Sequence, residues 1–454
     1  MTSQIASDGV LITGARIIDP VSKLDRVGDV VVADGLVRSI ATSKSERKQI
    51  SPGDVAMVID GEGLIACPGL IDPHVHLREP GFEYKETIQS GARAAAAGGF
   101  TAVCCMPNTS PALDSPELVR FVKDRSEGAA CRVFAVAAAT KGRKGEELTE
   151  SRLLAMAGAV GLSDDGDCIA SAGMMGRVLS ACKDVGLAFM QHAQEPTMTK
   201  GASMHAGSVS TRLGLVGWPR AAEEIIVERD VRLNAGIGAH YHVQHISSAG
   251  TCDILRRARR DGIRVTGEAS PHHLVATHDL CQGYNANAKV NPPLREMSDV
   301  KALRQAVADG VVTVLGTDHA PHSADEKALP FEEAPFGFVG LESALGLYVE
   351  GLIASGAVAW PRLIALLTIE PARLCGLDRI GLGRLVVGGP ADLTLIDPQE
   401  RWTLVKDELA GQSSNTPFLG RALTGRAVLS MVAGRVQHQR LGERLGSSGP
   451  VFQA

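Results

Sequence analysis

Two histidines stand two residues apart in Asp72-Pro73-His74-Val75-His76-Leu77-Arg78, just after the apolar run Leu64-Ile65-Ala66 and a Pro-Gly break. In an extended strand residues i and i+2 share a face, so both imidazoles can reach one cation, and Arg78 shares that face. A divalent metal beside a guanidinium suits the polarisation of a carbonyl and the holding of an anionic substrate. Further candidates sit where apolar runs end: His192 after Ala188-Phe189-Met190, His245 after the run at 241, and Asp318, His319 and His322 after Val311 to Leu315. Within His240-Tyr241-His242-Val243-Gln244-His245, alternation pairs His240 with His242, and spacing leaves that face and His245 as alternatives. The turn Ser163-Asp164-Asp165-Gly166-Asp167 supplies carboxylates, although Asp-Gly also marks an ordinary acidic turn. Nitrogen-rich ligation from several strand ends suits zinc better than magnesium or calcium, and a bridging carboxylate would allow two ions about 3.5–4 Å apart. His205, His272, His273, His278 and His438 are expected to be surface, turn or packing residues.

The elements that must position these groups change in texture along the chain. From about residue 9 to 62, short β-branched runs are separated by turn residues, with a hairpin signal at Ala33-Asp34-Gly35. From Pro68 onward, strand-like runs alternate with helical stretches about eight times, the pattern of a (β/α)8 TIM barrel, an α/β fold whose catalytic groups sit at the C-terminal ends of its strands. The alternation stops near Leu382 and short strands return. Neither flank can bury a core alone. Residues 1–65 and 383–454 are therefore expected to pair in one small β-sandwich domain, with the barrel, 66–382, inserted between them. Leu441 to Ala454 reads as a loose tail.

Composition narrows the function. The chain of 454 residues is 44% hydrophobic with a net charge of −5, which argues against the basic face that phosphate backbones require. Aromatics at 4% leave little for base stacking. No nucleic-acid partner is expected. The nine cysteines contain no C-x-x-C pair and read as scattered thiols in a reducing compartment. Met1 to Ala6 lacks a secretory pattern, and Ser343 to Trp360 is too broken for a membrane span. A cytoplasmic protein without membrane contact is expected.

Taken together, HVHLREPG at 74–81, MPNT at 106–109, SDDG at 163–166, HVQHIS at 242–247, SPHHL at 270–274, NPPLR at 291–295, TDHAPH at 317–322 and APFG at 334–337 resemble the amidohydrolase superfamily, and within it the bacterial class I dihydroorotases. The likeness covers nearly the whole chain. It implies a zinc-dependent hydrolase acting on cyclic amide bonds, which interconverts N-carbamoyl-L-aspartate and dihydroorotate in pyrimidine synthesis. It further implies His74, His76, Asp165, His192, His245 and Asp318 as ligands of Zn2+, two per chain, with Asp165 bridging and Asp318 also the catalytic base. Substrate contacts implied are Arg78, Asn108, Asn291, His322, Phe336 and Gly337. Ala193 departs from the cysteine that often follows the residue matching His192. Hydantoinases and allantoinases, the nearest alternative, bridge with a carboxylated lysine, whereas the matching stretch here carries Asp. A non-catalytic relative that scaffolds aspartate carbamoyltransferase is the other reading, and such proteins typically lose ligands that are all present here. A homodimer, or association with aspartate carbamoyltransferase, is compatible with the resemblance. The segments Ser163–Ala170 and Pro321–Phe331 are candidate lids by composition.

Overall fold

The structure, a computed structural model, describes residues 9–47 and 55–445. Eight parallel strands follow one another around a barrel: Leu70–Val75, Phe100–Cys105, Arg132–Ala138, Gly161–Ser163, Ala188–Gln191, His240–Val243, Val265–Ala269 and Val314–Leu315. The last run, expected from Val311, is reduced to two strand residues, and closure is made just beyond it. Asp318 N donates to His74 O (3.1 Å) and His76 N to His319 O (2.8 Å). The first and last strands are thus joined at the point where the candidate ligands stand.

Helices between the strands cover the barrel. Ile88–Ala97 shows why they form where they do: the Thr87 side chain accepts from Ser90 N, the Ser90 side chain accepts from Thr87 N, and the Ala-rich face packs inward. The N-terminal mouth is plugged, because Ile71, Cys104, Val136 and Met190 inside the barrel pack on Leu374, Leu377 and Leu382. With the floor closed by apolar side chains, the polar groups are left to the C-terminal mouth.

The flanking strands join in one further eight-stranded sheet. Val10–Asp19 pairs with Leu24–Ala33, Met57–Asp60 and Ile65–Pro68, and the last of these pairs with Leu393–Thr403 from the far end of the chain. Val10–Asp19 is one strand, kinked by a register shift between Ile12 and Ala15 at Gly14, whose φ is +69°. Asp34 and Gly35 both have positive φ, as the expected two-residue hairpin requires. The sheet curls until Gly35 meets Ala433 and Gly434, so that its halves face each other across a core including Ile12, Val30, Ile59, Leu393 and Leu429. Arg132 and Asp392 form an ion pair (2.7 Å) between this sheet and the barrel. At the C-terminus, Leu441 is buried and Gly442–Arg444 forms a short helix, so the expected loose tail does not begin at Leu441; its remainder, 446–454, and the stretch Met1 to Ala6 lie outside the described residues.

Candidate metal centre

His74 is the only one of its trio inside the first barrel strand, which ends at Val75. His76 stays on the barrel wall because its N–H continues the closing ladder to His319 O. Arg78 lies beyond the strand with φ +63°, so it reaches the site through a left-handed turn and not by strand alternation. Asp318 (φ +52°) and His245 (φ +31°) share this rare conformation. Three non-glycine residues so constrained at one mouth mark where the fold stores strain.

The six expected ligands converge. Asp165 Oδ1 lies 3.6 Å from His74 Nε2, 3.3 Å from His192 Nδ1 and 3.6 Å from His245 Nε2, while its Oδ2 lies 3.5 Å from His76 Nε2. Asp318 Oδ1 lies 3.1 Å from His76 Nε2 and 3.6 Å from His74 Nε2. All six side chains are buried. Asp164 turns away, accepting from Ala139 N and Thr140 N (2.9 Å each), so the acidic turn divides into one carboxylate that pins backbone and one that enters the site. Of the alternatives at 240–245, His245 joins the cluster; His240 and His242 lie lower in the barrel, both against Thr266 Oγ1.

Each of three histidines gives its outer N–H away. His74 Nδ1 donates to Glu268 Oε1 (2.9 Å), His76 Nδ1 to Asn108 Oδ1 (2.8 Å) and His192 Nε2 to Gln194 Oε1 (3.0 Å). That leaves the inner nitrogens as lone pairs facing carboxylate oxygens, an arrangement that repels unless a cation lies between. Asp165 Oδ1 is buried without a hydrogen-bond partner. Donors about 2.0–2.2 Å from a tetrahedral metal stand roughly 3.3–3.6 Å apart, which five of these six spacings match, His76 to Asp318 being shorter. The residues fit a metal ion, with the outer acceptors fixing tautomer and ring orientation. A second proton is the substitute for metal: burial opposes charge on His74, yet Glu268 and Asp165 hold its pKa well above the ordinary value. Burial likewise opposes charge on Asp165 and Asp318, but the surrounding imidazoles keep both carboxyls below the usual range, Asp165 far below.

The expected substrate contacts form the adjoining wall. Arg78 is buried, donates from Nε to Pro321 O (3.0 Å) and places Nη2 3.2 Å from His322 Nε2. It has no acidic partner within 4.0 Å among the described residues. Burial lowers its pKa to about 10. His322 donates from Nε2 to Phe336 O (2.8 Å), and burial together with the charge of Arg78 drops its pKa to about 2, so it is neutral. Gly337 carries φ +112°, and a Cβ there would meet the Ala320 Cβ at 2.6 Å. Asn291 donates to Gln194 Oε1 (3.0 Å), leaving its own Oδ1 buried and unpartnered. Asn108 spends its oxygen on His76, so it orients a candidate ligand as well as lining the wall.

Glu268 and Gln194 are missing from the sequence reading. Glu268 is the one charge in the strand Val265–Ala269 and shares a face with Thr266, a signal that period-2 inspection offers; Gln194 has no comparable marker. His205, His272, His273 and His278 are buried packing residues rather than surface ones. The expected lid at Pro321–Phe331 is tethered: Lys327 Nζ donates to Ala286 O (3.0 Å) and Pro335 O (2.7 Å), and Lys289 Nζ to Phe331 O (2.7 Å). Eight of the nine cysteines are buried and all are free. No described helix is long and apolar enough to cross a membrane.

A closed (β/α)8 barrel whose C-terminal mouth gathers histidines and carboxylates beside a buried arginine with no acidic partner among the described residues defines a metal-dependent barrel enzyme. Residues 63–251 match the family model described as dihydro-orotase-like. Proteins named dihydroorotase are similar over 95% of this chain: 43% identical in Citrifermentans bemidjiense, covering 99% of that protein, and 44% identical in Anaeromyxobacter dehalogenans, covering 98%. Among solved structures, an L-hydantoinase from Arthrobacter aurescens superposes with a TM-score of 0.83 at 22% identity, covering 98% of this chain and 97% of that one. A D-hydantoinase from Thermus sp. gives 0.78 at 24% identity, covering 95% and 96%. The hydantoinases share the fold; the chain belongs to the dihydroorotase family.

Proposed function

We propose that this enzyme catalyses the reversible interconversion of N-carbamoyl-L-aspartate and (S)-dihydroorotate, with His74, His76, Asp165, His192, His245 and Asp318 holding two zinc ions. Arg78 carries the substrate assignment: a buried guanidinium beside the ligands, with no acid to pair it among the described residues, is complete only when a ligand brings a carboxylate. The carboxylate of dihydroorotate, carried on the ring carbon β to the scissile carbonyl, meets that need, and a hydantoin ring has none. Two ions are supported by Asp165, whose Oδ1 faces His192 and His245 while Oδ2 faces His76.

When bound, the metal polarises the amide carbonyl and lowers the pKa of a water toward about 7. Asp318, kept ionised by its imidazole neighbours, takes the proton of the attacking water and passes it to the leaving ring nitrogen. Arg78 grips the substrate carboxylate through guanidinium hydrogens not engaged by Pro321 O. Asn108, Asn291 and the Phe336-Gly337 backbone line the remaining face. Residues 1–65 and 383–454 serve as one composite unit bracing the barrel, 66–382. The partner is a small molecule in the cytoplasm, and a homodimer or a complex with aspartate carbamoyltransferase is compatible with this chemistry.

The test is a metal-quantified assay of the purified chain on dihydroorotate, hydantoin and allantoin at equal concentration. Turnover should be confined to dihydroorotate; preference for hydantoin overturns the substrate. Asp318→Ala should lower the rate about 10²- to 10⁴-fold, and near wild-type turnover with metal retained overturns its role as base.

A further inference from the structure

The stretch Gln412-Ser413-Ser414-Asn415 comes from the C-terminal part of the chain, yet it bonds to the two loops that carry the substrate wall. On one side Gln412 Nε2 donates to Tyr84 O (2.9 Å) and Ser413 Oγ to Lys85 O (2.7 Å). On the other, the Asn415 side chain is shared among three backbone groups. Its Oδ1 accepts from His322 N (3.0 Å), and its Nδ2 donates to Gly337 O (3.2 Å) and Ala320 O (3.4 Å). The Asn415 carbonyl also accepts from Val339 N (2.9 Å). Asn415 is buried. A carboxamide supplies one acceptor and two donors in a single plane, and here both donors and the acceptor are spent on the turn that presents His322 and on the turn that presents Phe336-Gly337.

These two turns must keep a close fit. They touch where Gly337 faces the Ala320 Cβ, and they are joined by the His322 Nε2 to Phe336 O bond (2.8 Å). His322 in turn stands 3.2 Å from Arg78 Nη2. We propose that Asn415 is a positioning residue for substrate recognition, acting through His322 to hold the wall opposite Arg78 at the separation the substrate carboxylate requires. This rests on Arg78 and His322 being the carboxylate site. A misplacement of about 1 Å at a recognition wall can cost about 10²-fold in rate, and no other described side chain bonds His322 N.

The experiment is a double-mutant cycle on full-length, metal-quantified enzyme, with Asn415→Ala, His322→Ala and the pair, reading kcat, KM and orotate affinity. Asn415→Ala should lower kcat/KM about 10²-fold, chiefly through KM and in step with weaker orotate binding, with metal content unchanged. In the His322→Ala background the same change should cost no more than about twofold, since residues that act as one unit are not additive. Equal losses in both backgrounds, or no loss in either, overturn the proposal. So does a loss that follows metal content. Asn415→Ser takes its place in the cycle if Asn415→Ala does not fold, and failure of both to fold with metal assigns Asn415 to folding instead. His322→Ala with undiminished orotate affinity overturns the underlying carboxylate site, a separate result.

Discussion

His74 Nδ1 lies 2.9 Å from Glu268 Oε1, and both side chains are fully buried. The glutamate comes from the seventh barrel strand and the histidine from the first, so the barrel itself brings the pair together. By accepting the outer N–H, Glu268 keeps the Nε2 lone pair aimed at Asp165 and Asp318 and raises the basicity of the ring. Glu268→Gln should weaken metal binding about 10- to 100-fold while leaving the barrel folded, as measured by chelator competition and by circular dichroism. Unchanged affinity would mean that His74 is oriented by its neighbours alone.

Arg78→Ala should leave the zinc content untouched, because Arg78 bonds Pro321 O, stands beside His322 and bonds no candidate ligand. Loss of one partner of a buried charge pair costs about 2–5 kcal/mol, which corresponds to roughly 30- to several-thousand-fold in kcat/KM. Arg78→Lys should recover little of this, since an ammonium lacks the planar fork. Steady-state kinetics beside metal analysis separates the two effects, and a Lys variant with wild-type kinetics would remove the case for a bidentate grip.

Much of this arrangement is legible in the chain because barrel strands are local and alternate. His74-Val75-His76 after an apolar run, and Asp318 after another, mark strand ends without any knowledge of the fold. Arg78 shows where such reasoning stops: its side chain does enter the site, but by a positive-φ turn past the strand, not by alternation. Spacing does not tell Asp164 from Asp165, which the family likeness alone separates, since the choice depends on which carboxylate the Ala139 and Thr140 N–H groups capture. Asn415 is farther still from view. Its role depends on a segment about 93 residues beyond His322 returning to it, and no periodicity encodes that return.

Removing metal should destabilise the protein in a pH-dependent way. A ligand present at a thousand times its Kd contributes about 4 kcal/mol to stability, and metal must displace protons from its ligands. In the metal-free protein the folded pKa of His74 is raised, so its stabilising contribution is full below the unfolded value near 6.5 and is lost as pH rises through the folded pKa. The drop in Tm on chelation should therefore be larger at pH 8.5 than at pH 6.5, and zinc should restore it. Calorimetry at the two pH values with and without chelator checks this, and an equal drop at both would count against proton replacement at His74.

Glu342 provides a pH test outside the metal centre. Its Oε1 accepts from Ala410 N (2.9 Å), at the start of the segment leading to Asn415. Burial, with Glu86 nearby, raises its pKa from 4.5 to about 7. Between those values the folded state binds more protons at this group than the unfolded chain does, so its contribution to stability falls as pH rises through that window and is constant above it. The difference amounts to at most about 3 kcal/mol. Glu342→Gln keeps an acceptor for Ala410 N and abolishes the titration. The stability of the wild type minus that of Glu342→Gln, from urea unfolding of the zinc-loaded proteins, should thus decline from pH 4.5 to 7.5 and level off beyond. A difference that is flat across this range would show that Glu342 ionises normally in the fold, its charge already balanced by the backbone N–H groups of Ala410 and Gly411.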